Sequence, residues 1–213
     1  MKHKELLIPY GNEIWTGTPD SILSSLYRNI LNELNIKEYP FYVKIDKFIN
    51  RTVQVEDIKE LSSIKGNLKK ELLKSVMTWK VFIKGLMVLN IEKFDFVIEI
   101  KTSDKENNLA RHIQTVILDP NVIKTEKDLD KTEAVLSTIF KQLQFLLGIT
   151  IEKYNELLKN YIIKAKIPNS LVDISSARGN LNKELKKPTM SWKVFIKSLN
   201  FLNMAELNIG IQL

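Results

Sequence analysis

SSIKGNLKKELLKSVMTWKVFIKGLMVLN at 62–90 returns as SSARGNLNKELKKPTMSWKVFIKSLNFLN at 175–203, at a constant offset of 113, with 19 of 29 aligned positions identical and no gap. Identity at that level marks an internal duplication, and a duplicated chain is read one unit at a time. Walking backward at the same offset, Asp20, Ile22, Leu23, Tyr27, Ile30 and Leu34 fall on Glu133, Val135, Leu136, Phe140, Leu143 and Leu147. Phe41, Ile45 and Phe48 fall on Tyr154, Leu158 and Tyr161. Hydrophobic character persists where the letters differ, so the repeated units are read as 20–100 and 133–213, with 1–19 an N-terminal extension and 101–132 a connector.

Periodicity within the second unit predicts four helices and a strand. Val135, Leu136, Ile139, Phe140, Leu143, Leu146 and Leu147 recur at helical spacing and Gly148 offers a C-cap. Thr150 is a candidate cap for a second helix, with Tyr154, Leu157, Leu158 and Tyr161 on one face, until Pro168 and Asn169 stop it. In the first unit Pro40 falls in the first turn, where proline is tolerated. Ser175 or Ser176 is a natural N-cap for a third helix through about Lys186, with Leu181 and Leu185 facing inward. Ser191, Thr78 in the first unit, caps a fourth helix whose apolar stripe is Trp192, Phe195, Ile196, Leu199 and Leu202. LNIGIQL at 207–213 and FDFVIEI at 94–100 alternate as strands with one buried face, HIQTVIL at 112–118 is a further strand, and Asp104–Asn108 is a candidate hairpin turn. Leu6–Trp15, with Pro9 and Gly11, is read as irregular or as an edge strand, and the strands that end the two units, 94–100 and 207–213, are candidates to pair and hold the units together. The fold class expected is mainly α with short β-strands, two tandem four-helix units each followed by a strand.

Composition narrows the chemistry. At 213 residues, 44% hydrophobic and 27% charged, the chain is an ordinary globular mixture able to bury a core. No stretch approaches the roughly 18 apolar residues of a membrane span, and Met1–Leu7 lacks the apolar region of a secretory signal. A cytoplasmic protein with no membrane partner is expected. The absence of cysteine excludes disulfides, thiolate zinc sites and a cysteine nucleophile; with only His3 and His112, neither given a role, no metal or cofactor is expected. No paired carboxylates, glycine-rich phosphate loop or nucleophile beside a base stand out, so an enzyme is not expected and no catalytic residue is named.

Charge points elsewhere. The net charge is +7, yet 62–90 and 175–203 each carry +5, which leaves −3 for the remainder. Cations gathered into the repeated motif suit an anionic partner.

Arg178-Gly-Asn-Leu-Asn-Lys-Glu-Leu185, followed by Pro188-Thr189-Met190 and a further helix, resembles the end of a Cro/CI-type helix-turn-helix. The likeness is narrower to HigA-type addiction-module antidotes, whose recognition helix reads S-R-x-N-L-x-K-x-L before an N-P-S/T-L turn. Arg178, Asn180, Leu181, Lys183 and Leu185 fit that pattern; in the first unit Asn67, Leu68, Lys70 and Leu72 match, Lys65 replaces the arginine and Ser75 the proline. The resemblance implies two helix-turn-helix modules and binding of double-stranded DNA.

In such a module the N-terminal residues of the recognition helix meet base edges, which assigns Arg178 and Asn180 to guanine and adenine contacts. Gly66 and Gly179, read as first-turn residues, permit close backbone approach. Lys183, Lys186 and Lys187 are expected at phosphate, as are Ser191 and Lys193 at the start of the fourth helix. Asn182 completes the second-unit set, and Lys65, Asn67, Lys69, Lys70 and Lys74 form the first-unit set. Trp79 and Trp192 fit core packing better than a stacking platform for single strands. The expected assembly is a monomer with an internal pseudo-twofold axis or a homodimer, acting in transcription regulation, in a phage or mobile-element setting by the family likeness. The alternatives are an interaction protein using its basic face for a protein partner and an RNA-binding protein.

Overall fold

The computed structural model describes residues 5–10, 19–53, 57–102, 109–123, 126–165, 171–200, 202 and 204–212. The apolar spacing of the first half yields α1 (Pro19–Glu33), α2 (Glu38–Thr52), α3 (Ile58–Leu73) and α4 (Trp79–Val88). The second half yields α5 (Glu126–Leu146), α6 (Ile151–Ala165), α7 (Leu171–Leu185) and α8 (Trp192–Asn200). Adding 113 to both bounds of α2 gives those of α6, and adding it to the first residues of α3 and α4 gives those of α7 and α8. The strands are β1 (Glu5–Tyr10), β2 (Lys93–Thr102), β3 (Leu109–Ile117) and β4 (Met204–Gln212). The protein is therefore mainly α-helical with a small sheet. The expected turn at 104–108 and the stop at Pro168 and Asn169 lie outside the described residues.

Helix ends follow local chemistry. Thr78 and Ser191 accept from the backbone N–H of Val81 and Val194, each at 3.4 Å, and Thr150 accepts from Lys153 N at 3.3 Å. Each side chain thereby satisfies an N–H that the helix leaves without a partner. Helices α1 and α5 end on left-handed residues, Asn35 (φ 49°) and Gly148 (φ 59°). At both ends the following amide reaches back, Ile36 N to Leu31 O at 2.9 Å and Ile149 N to Gln144 O at 3.0 Å. That backbone favours glycine or asparagine.

The sheet runs β1-β4-β2-β3 with every pair antiparallel. In its centre Val97 of β2 lies opposite Gly210 of β4, residues 113 apart, while Asp95 faces Gln212 and Glu99 faces Asn208. Exchange of partners under the offset is the signature of an isologous contact, so a local twofold axis passes between Val97 and Gly210, normal to the sheet. The edges obey the same relation. Leu6 of β1 lies opposite Ile211, and His112 of β3 lies opposite Ile98. Ile98 and Ile211 are equivalent, so β1 and β3 are too, although their matching residues are 106 apart, seven short of the repeat offset. The segments read as extension and connector each contribute one strand, and each pairs directly with the last strand of the unit it does not precede: β1 with β4, and β3 with β2.

Beneath the sheet, Trp79 and Trp192 stack at 6.0 Å with 13° between their planes. Phe96 meets both edge-on, at 5.3 and 6.1 Å. The Trp79 indole N–H donates to Thr132 Oγ1 at 3.1 Å. Both tryptophans are buried, and α1 packs on α8 while α4 packs on α5, so one core spans the two halves.

Candidate nucleic-acid interface

Helices α3 and α7 are held alike. Leu68 and Leu72 of α3, and Leu181 and Leu185 of α7, are buried at i and i+4. The turn after each helix is pinned by the first helix of its half: Ser24 Oγ donates to Lys74 O at 2.8 Å and Ser137 Oγ to Lys187 O at 3.1 Å. Met77 N donates to Asp20 O and Met190 N to Glu133 O, at 2.9 and 3.3 Å. Burial raises the Glu133 carboxyl, an effect that Lys80 opposes and Asp130 adds to. Ser24 and Ser137 were not singled out from sequence, although they stand at matching positions within otherwise apolar stripes.

The third helix begins earlier than the serine pair suggested. Asp57 caps α3, accepting from Lys59 N at 2.8 Å, and Leu61 and Ile64 carry the apolar stripe a turn beyond Leu68. Ser175 and Ser176 are exposed residues inside α7, not its caps. Arg178, Gly179 and Asn180 lie midway along α7 and Lys65, Gly66 and Asn67 midway along α3, so the first-turn placement does not hold.

Copy two presents its cations to solvent. Arg178, Asn180, Lys183, Lys186, Lys187 and Lys193 are exposed, as is Ser191, whose hydroxyl serves as the cap of α8. Asn182 is half-buried and its Oδ1 accepts from Tyr154 OH at 3.3 Å; burial raises that phenol's pKa. Copy one differs. Asn67, Lys70 and Lys74 are exposed, but Lys65 pairs with Asp46 of α2 at 3.2 Å and Lys69 Nζ lies 3.7 Å from the centre of the Tyr42 ring. Lys80, on α4, pairs with Asp130. No pattern within a single helix marks Asp46 or Tyr42, because partners on a separate helix become visible only once α2 and α3 are packed.

A cavity of about 350 Å³ opens in copy one between α2, α3 and α4, mostly apolar, with Asn67, Glu71 and Lys84 in its lining. Among the described residues no group of three or more His, Asp or Glu side chains is placed to hold a metal ion. No single helix among them is long and apolar enough to cross a membrane.

No protein-family model, curated protein or solved structure matches the chain.

The glycines at the centre of this face have no internal use. A Cβ at Gly66 or Gly179 would meet nothing within 4 Å, and neither residue has a positive φ. Glycine within a helix costs roughly 1 kcal/mol against alanine. Gly179→Ala is expected to raise the unfolding free energy by about that amount in urea denaturation. A loss of stability would contradict a continuous α7 with open space at this position.

Proposed function

We propose that the chain binds double-stranded DNA as a single-chain pseudo-dimer, with α3 and α7 entering successive major grooves, and that it serves sequence-specific transcription regulation. The observation that carries this reading is the β2–β4 register: an axis between Val97 and Gly210 would relate α3 to α7 as a dimer axis relates two recognition helices, which supports a two-part site. The likeness of both motifs to Cro/CI-type modules and the exposed cations of α7 support it. On α7 the outward face carries Ser176, Asn180 and Lys183, and Lys187 follows in the turn beyond Leu185. Asparagine is suited to a bidentate contact with adenine, and the lysines to phosphate or guanine. Arg178 moves from base reading to the flank of this face, because its equivalent Lys65 is turned toward α2.

Fluorescence anisotropy with a pool of random 20-base-pair duplexes at two salt concentrations tests the reading. Wild type is expected to bind with an affinity that falls steeply with salt, and an Asn180→Ala/Lys183→Ala double variant about tenfold more weakly. Equal affinity of the two proteins would remove α7 as the reading element.

One observation favours a second reading, an interaction protein. Phe145 (81% exposed), Leu146 and Ile151 (76%) crowd the α5–α6 turn, where copy one carries Asn32, Glu33 and Glu38. Copy one makes the same turn with polar residues, so the fold does not require the apolar ones. Absence of duplex binding at both salts would favour this reading.

A further inference from the structure

We infer that the α6–α7 junction of copy two is a phosphate-binding clamp formed by Lys159 and Arg178, and that copy one has lost or never acquired the equivalent site. The repeat supplies the internal control. In copy one the position on α2 is Asp46 and the position on α3 is Lys65, and the two side chains meet at 3.2 Å. The offset of 113 carries Asp46 to Lys159 and Lys65 to Arg178. Helices α6 and α7 repeat the bounds of α2 and the start of α3, and they pack on each other as those helices do. Two cations therefore occupy positions at which this fold brings a cation and an anion together.

Both Lys159 and Arg178 are exposed. Like charges at such a pair of positions repel, and an anion seated between them removes the repulsion and gains charge-assisted hydrogen bonds. Arginine's planar fork matches two oxygens of one phosphate, whereas lysine acts as a mobile point charge. The neighbouring pair changes in the same sense. Tyr42 with Lys69 above its ring is replaced by Asn155 and Asn182, which trades a cation held by an aromatic face for two amides. Copy one thus satisfies its cations against α2, while copy two lines the matching junction with groups that suit an oxyanion.

The site rests on the DNA-binding reading only in naming the phosphate as one of the duplex backbone. It makes the two halves unequal: copy two grips the backbone through this junction, and copy one meets the duplex with Asn67, Lys70 and Lys74.

Lys159→Asp tests the clamp by giving copy two the ion pair of copy one, a geometry the fold already accommodates. Thermal melts of the full chain are run in sodium phosphate and in sodium chloride of equal ionic strength. Wild type is expected to melt higher in phosphate; Lys159→Asp is expected to lose that difference while keeping its helical circular dichroism. Duplex affinity is expected to fall about threefold to tenfold, with the slope of log affinity against log salt reduced by about 1 to 2. Asp46→Lys, the reciprocal change, is expected to create a phosphate-dependent rise in copy one and to strengthen duplex binding. Equal phosphate stabilisation of wild type and Lys159→Asp, or none in wild type, overturns the clamp. Phosphate stabilisation that depends on Lys159 in a chain that binds no duplex leaves the clamp standing and overturns the DNA-binding reading.

Discussion

Trp192→Ala is expected to lower the unfolding free energy by about 3–5 kcal/mol, measured by urea denaturation. The indole is 2% exposed and stacks across the local twofold axis on its equivalent, Trp79, at 6.0 Å. It also contacts Phe96 at 6.1 Å and Phe195 at 5.6 Å, the rings beneath the sheet centre and along α8. Truncation removes those contacts and leaves a cavity that the flanking rings, themselves buried, can only partly fill. Because Trp79 loses its stacking partner at the same moment, the damage reaches both halves. A single cooperative transition is expected before and after the substitution. Two separated transitions, or a loss under about 1 kcal/mol, would contradict a core shared across the axis.

Gly85→Ser is expected to destabilise by about 1–3 kcal/mol, through overpacking and not through lost burial. A Cβ at residue 85 would stand 2.6 Å from Cε2 and 2.9 Å from Cζ of Tyr27, and 3.0 Å from Cδ2 of Leu72. The Tyr27 hydroxyl donates to Gly85 O at 3.4 Å, which ties the ring against the helix, and burial raises the phenol's pKa. Copy two solves the same contact differently. Ser198 stands for Gly85 and Phe140 for Tyr27, with Ser198 Oγ donating to Phe195 O at 2.6 Å. Adding Tyr27→Phe to Gly85→Ser reproduces the copy-two pair and frees the ring from its hydroxyl tether, so part of the loss is expected to return. A double variant no more stable than Gly85→Ser would show that the α1–α4 backbone separation, and not the ring, sets the limit. Thermal melts of the four proteins in the cycle measure the coupling directly.

The helices were legible because apolar spacing is a local property. Leu181 with Leu185, the Trp192 stripe and the Gly148 cap are found where periodicity and capping rules put them. The start of the third helix is less legible: the Ser175–Ser176 pair is conspicuous, yet α7 begins at Leu171, and in the first half the cap, Asp57, precedes a stripe, Leu61 and Ile64, that is only partly buried. The strands that end the two units pair as expected, β2 with β4, whereas the edge pairing of β1 with β4 has no signal in the sequence. Matching residues of β1 and β3 are 106 apart while the helices repeat at 113, and a shift of seven hides equivalence when no letters are shared. The candidate site was legible as a list of cations and illegible as an arrangement. Lys65 and Arg178 look interchangeable in the repeat, and only the packing of α2 on α3 reveals that one is already paired.

Sequence-specific duplex binding by both halves is tested most directly by selection of bound duplexes from a random pool by the full chain, followed by sequencing of the retained fraction. An enriched site of two unequal halves is expected, with centres about 10 base pairs or 34 Å apart, one half for each of α3 and α7. The half read by α7 is expected to be the better defined, because copy two also grips the backbone. No enriched sequence, or a single undivided site that survives Asn180→Ala/Lys183→Ala, would contradict it.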